Sequence, residues 1–231
     1  MIDTKQFHLK KVDQYGDLTI WEVDGEKIRA NLDIEFSGFA GHSDKPYIPE
    51  NELWLEHEHH PDEHKFYIDH MLAQWKTEKR GKTHEQAMNL AYKVEAAERK
   101  KSGDSGKTLG PDHRHHSAKV HRKLLGKTDD GLEVWLVNGR LVRSDYFIDY
   151  IEGGHHLIYP WVPEKEIWLD DDLKPSEYNF VLLHELHERS LMAKGWTYGK
   201  AHADSSKIEL YCHHHPHHLK VELAALGWHI K

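Results

Sequence analysis

The chain has 231 residues, 30% of them charged, with a net charge of -8 and a mean hydropathy of -0.79. Eight tryptophans and ten tyrosines supply enough aromatic mass for real cores and exclude wholesale disorder. The acidic balance disfavours nucleic acid held by bulk electrostatics, and the single cysteine, Cys212, excludes an internal disulfide framework and fits a reducing compartment.

In chain order, the opening "MIDTKQFHLKK" lacks the apolar core of a signal peptide, and no later stretch reaches membrane-span length. The expectation is a cytoplasmic protein without a membrane partner. "IWEVDGEKI" alternates around Asp24-Gly25, the strongest short-range signal for a β-hairpin. "ELWLE" (52–56) follows as a strand. Pro61 then sits where a first helical position is expected, and Gly81 where that helix should end. Thr83 with Gln86 has the spacing of a capping box for a second helix. "KSGDSGKTLGPDHRHHS" (101–117) is rich in Gly, Ser and charge and reads as a linker.

The pattern is then written again. With an offset of 114, the step from Leu18 to Leu132, "LTIWEVDGEKIR" falls on "LEVWLVNGRLVR" and "PYIPENELWLE" on "PWVPEKEIWLD". His70 falls on His184, Gly81 on Gly195, Thr83 on Thr197 and Glu95 on Glu209. Such register indicates a tandem duplication. The expected fold is α+β, each copy a β-hairpin plus strand followed by two antiparallel α-helices. Residues 1–100 form the first copy, 101–117 the linker and 118–212 the second copy. The His-rich "HHHPHH" and an amphipathic tail occupy 213–231. In the second copy Asn138-Gly139 takes the hairpin position, Pro175 the helix start and Thr197 the next cap.

The second copy's first helix carries "FVLLHELHERSLM" (180–192). At about 100° per residue, Glu188 lies roughly 40° from His184, with Glu185 near 100° and His187 near 300°. Apolar residues surround them, so the helix is expected to be buried, where a carboxylate and an imidazole must pair or coordinate a cation. The plain alternative is a buried His–Glu hydrogen bond.

"HELHE" resembles the HExxH helix of zincin metallopeptidases, with Glu188 in place of the second histidine, over about thirty residues that include the preceding strand and turn. The resemblance implies that His184 and Glu188 bind a divalent metal, zinc first, with manganese or iron compatible. It implies that Glu185 activates the water of a peptide or protein hydrolase. His184 and His187 as ligands, with Glu188 as base, is the other assignment. On the next helix His202 and Glu209 share one inward face and supply the remaining ligands. The alternatives there are a half-buried His202 and a Glu209 paired with a base such as Arg189. His42 and His156, each following glycine or histidine after the expected hairpin, are shared by the copies and could line a site.

The first copy serves as a control. Where the second has His184, Glu185, His187, Glu188 and His202, the first has His70, Met71, Ala73, Gln74 and Met88. The expected site therefore belongs to the second copy alone. The competing class is a non-catalytic, metal-binding or partner-binding repeat protein. The dense histidine runs at 57–64, 113–121 and 213–218 suit unselective metal scavenging.

Overall fold

The computed structural model describes residues 3–230, which fall into two compact units, unit 1 up to Ser105 and unit 2 from Gly106. In unit 1 the strands are β1 (His8–Tyr15), β2 (Leu18–Val23), β3 (Phe39–Gly41) and β4 (Glu52–Glu56), and the helices are α1 (Gly25–Asn31), α2 (Pro61–Glu78) and α3 (His84–Lys101). Unit 2 repeats them as β5 (His121–Lys127), β6 (Glu133–Val137), α4 (Gly139–Asp145), β7 (Gly153–His155), β8 (Glu166–Asp170), α5 (Tyr178–Ala193) and α6 (Tyr198–His214). It then adds α7 (Pro216–Ala225). The sheets run β1-β2-β4-β3 and β5-β6-β8-β7. The expected α+β duplication is what the chain forms, with four strands per sheet.

The hairpin lies elsewhere than expected. β1 pairs antiparallel with β2 across Gly16, which takes a positive φ of 66°. Asp24-Gly25 and Asn138-Gly139 instead start α1 and α4. The Asp24 and Asn138 side chains accept from Lys27 N at 2.9 Å and Leu141 N at 3.0 Å. Asx-Gly is a turn signal, but Asx is also a preferred N-cap, and here the cap wins. The second strand after the helix, β4 or β8, pairs in parallel with β2 or β6, Trp21 opposite Trp54 and Trp135 opposite Trp168.

The inner strands β4 and β8 are buried on both faces, which is why "LWLE" and "IWLD" show no polar alternation. In unit 1, Trp54 packs with Phe7, Ile28 and Phe36 on one face, while Leu53 and Leu55 meet Tyr67 and Met71 of α2 on the other. In unit 2, Trp168 packs with Val142 and Tyr150, while Ile167 and Leu169 meet Val181, Leu182 and Leu186 of α5. Leu219 and Leu223 of α7 and the free thiol of Cys212 complete that second core.

Of the expected helix-start signals, Pro61, the Thr83–Gln86 box and Thr197 fall where expected, Thr197 without its side-chain bond, and Pro175 does not. Pro61 occupies the first turn of α2, and Thr83 with Gln86 forms the capping box of α3. Pro175 lies in the turn before α5, which begins at Tyr178, and Thr197 sits at the α6 N-cap without a side-chain cap bond. Gly81 and Gly195, at φ 79° and 91°, end α2 and α5 and let α3 and α6 fold back. Residues 106–108 are held on unit 2, with Gly106 N and Thr108 N donating to Asp145 at 2.5 and 2.9 Å. No described helix is long and apolar enough to cross a membrane.

Candidate metal centre

Both units share one buried network between their long helices. In unit 1, His70 Nδ1–H donates to Glu95 Oε2 at 2.7 Å. Glu95 then accepts from Arg99 Nε at 2.8 Å, and Arg99 grips Glu63 bidentately at 3.1 and 3.0 Å. The guanidinium also lies over the Phe66 ring at 4.5 Å. Unit 2 repeats each place. His184 Nδ1–H donates to Glu209 Oε2 at 2.9 Å, and His213 stands where Arg99 does. His213 Nε2 is 3.8 Å from Glu209 and 3.7 Å from Glu177, with its ring stacked on Phe180 at 3.9 Å. The partners of Glu209 are thus His184 and His213 rather than Arg189.

What unit 2 adds lies at the other end of His184. Its Nε2 is 3.0 Å from His202 Nδ1 and 3.7 Å from Glu188 Oε2, and His202 Nδ1 is 3.0 Å from that same oxygen. Three donor atoms from α5 and α6 therefore converge on one point. A tetrahedral ion bonded at about 2.0–2.1 Å spaces its ligands roughly 3.4 Å apart, so the observed separations fit one. Glu209 holds Nδ1 behind the ring and so aims Nε2 at His202 and Glu188, as carboxylates do behind metal-binding histidines. Sequence reasoning placed Glu209 among the ligands, because a helical angle gives a face but not a ring nitrogen.

His155 was missed. It ends β7, is fully buried, and its Nε2–H donates to Glu188 Oε1 at 3.0 Å. It forms a second donor group with Glu185 and Glu188, whose ligand atoms all lie within 4.8 Å of one another, as do those of His184, Glu188 and His202. His156, named from its match with His42, is half-buried and outside both groups, its Nδ1 without a hydrogen-bond partner. Burial holds its imidazole below the ordinary value. The signal for His155 was a difference rather than a likeness. Strand register sets it opposite Ile167, as Gly41 stands opposite Leu53. His187 is also outside the groups and donates from Nε2 to Asp204 at 3.0 Å.

The electrostatics follow from burial among carboxylates. Desolvation alone lowers His184, but Glu188 and Glu209 on its two sides push it up to about 11, so without an ion it holds a proton. Burial likewise opposes the charge of Glu188, yet His155, His184 and His202 hold its carboxyl well below the usual range. Glu185 gains less from its neighbours, and burial lifts it to about 7. The His202 side chain is a third exposed and forms the open side of the cluster.

The space for Glu185 comes from Gly153. Its place in unit 1 holds Phe39, whose ring lies 5.0 Å from His70 and 4.7 Å from Tyr67. There Gln74, in the Glu188 place, donates to Asp44 at 2.8 Å. A cavity of about 190 Å³ lies beside Gly41, Met71, Gln74 and Trp75. No family model, curated protein or solved structure matches this chain.

Proposed function

We propose that unit 2 is a metal-dependent hydrolase, zincin-like in its chemistry, acting on peptide or protein. His184, Glu188 and His202 hold the ion, zinc first by donor type, with manganese or iron compatible. Glu209 orients His184. A divalent ion at this place supplies Lewis acidity to water and to a substrate carbonyl. Glu185, half-buried beside the ion position with a carboxyl near neutrality, takes the proton from the attacking water and returns it to the leaving amine. His202 gives the open edge. The observation that carries the reading is the convergence of three donor atoms at 3.0–3.7 Å in one unit and none of that convergence in its duplicate.

The second reading, a non-catalytic metal site, draws support from the His70–Glu95 pair, which shows that half of the arrangement is shared framework. One pair of variants separates the readings. Chelator-washed, reconstituted protein is expected to hold tight metal that His184→Ala loses. Glu185→Gln is expected to keep the His184-held ion and the fold while losing hydrolysis of a peptide library. Metal binding unchanged in His184→Ala defeats both readings; wild-type metal with no hydrolysis leaves the non-catalytic one.

A further inference from the structure

Glu188 presents its two oxygens to two different donor groups. Oε2 faces His184 and His202 on the α5–α6 side, and Oε1 faces His155 on β7 at 3.0 Å. A carboxylate shared in this way is a bridging ligand. We propose that unit 2 binds two divalent cations, the first between His184, His202 and Glu188 Oε2, the second between His155, Glu185 and Glu188 Oε1. This rests on the reading of the His184 cluster as a metal centre and extends it.

Three observations support the second position. His155 is completely buried, its Nδ1 accepts from Leu157 N at 3.3 Å and its Nε2 lies 3.0 Å from Glu188 Oε1, with a Glu185 oxygen in the same group within 4.8 Å. Glu185 and Glu188 bring two carboxylates within 4.8 Å of each other and of the His155 imidazole, a three-donor convergence of the kind that holds a cation. Every component is also specific to unit 2. Gly41, Met71 and Gln74 stand where His155, Glu185 and Glu188 stand, and Phe39 fills the space that Gly153 opens. The first position retains a histidine in the duplicate; the second retains nothing.

A one-carboxylate bridge sets two ions roughly 3.5–4 Å apart, the spacing of two-metal hydrolytic sites. With both positions filled, Glu185 is a ligand of the second ion, and it is the proton acceptor only when one ion is present. His155 and Glu185 offer one imidazole and one carboxylate, a donor pair that takes manganese or iron as readily as zinc. The two positions also differ in access. The first lies beside the part-exposed His202, and the second beneath β7, lined by the buried His155.

The test uses the full chain, washed with chelator and reloaded with Mn(II), whose hard character disfavours capture by exposed imidazole runs. Expected are two tight ions per chain and the multi-line paramagnetic resonance spectrum of a coupled pair. His155→Gln and Glu185→Gln are each expected to retain one ion and show an uncoupled spectrum, with circular dichroism confirming the fold. One ion in the wild type, unchanged in both variants, overturns the second site and leaves the single-ion centre standing. No tight ion at all overturns both. Because the wild-type count and spectrum are decisive alone, a variant that fails to fold does not rescue the proposal.

Discussion

At the scale of single residues, the centre depends on which ring nitrogen each histidine presents. Glu209 touches only Nδ1 of His184, so its effect on the ion is indirect. Glu209→Gln is expected to weaken metal binding by about 10- to 100-fold, the usual effect of removing an orienting partner, while the direct ligands stay in place. Competition against a chromophoric chelator measures it; an unchanged affinity removes Glu209 from the centre. His184, Glu185, Glu188 and His202 were legible because His184 and Glu188 follow a known spacing and the duplicate keeps only the first of the four, as His70. His155 was not legible. It comes from a three-residue strand far from the motif, and an ungapped match drew attention to the histidine that both copies keep.

At the scale of elements, the Asx-Gly steps explain the one misplaced hairpin. The same dipeptide serves a turn or a helix start, and only the strand pairing on either side decides. α1 is locked to β4 by Arg29, buried against Glu56, with Nη2 donating to Glu58 at 2.8 Å. A Cβ on Gly25 overlaps the Glu56 carboxyl, so this close approach requires glycine. Burial opposes ionisation of Glu56, but Arg29 and His59 hold its carboxyl below its ordinary value of 4.5. A carboxylate with a depressed folded value stabilises the fold above its unfolded value and loses that contribution as pH falls below it. The urea midpoint of the wild type is therefore expected to fall as pH drops below about 4.5. Glu56→Gln is expected to cost about 1.5–3 kcal/mol at neutral pH, the worth of a hydrogen bond to a charged group, and to flatten the acid limb. An equally steep limb in that variant excludes Glu56 as its source.

At the scale of the whole molecule, each unit carries its own cores on both faces of its own sheet. The duplication was readable because two tryptophans, two prolines and a glycine kept register; the tryptophans now prove to be sheet centre, the glycine helix end, and the prolines lie in the turns before β4 and β8. All proposed ligands lie in unit 2. A fragment spanning 106–231 is expected to fold and to bind metal with the affinity of the full chain, while 1–105 folds without tight binding. Calorimetric titration of both fragments checks this; tight binding by 1–105 reassigns the centre.

The glycine that opens β7 also constrains history. A Cβ at Gly153 meets the Trp168 carbonyl at 3.0 Å and both Glu185 Cγ and Val181 Cγ1 at 3.2 Å, so even alanine crowds the acid. In the duplicate, phenylalanine there packs against the apolar cluster that holds Met71, so a glutamate introduced at position 71 would be buried among apolar groups until its neighbours change. The substitutions that separate the two halves are therefore not interchangeable in order. Polar neighbours had to precede charge if the centre was gained. If it was lost, one bulky replacement at residue 153 was enough to close it, and the remaining ligands were then free to drift.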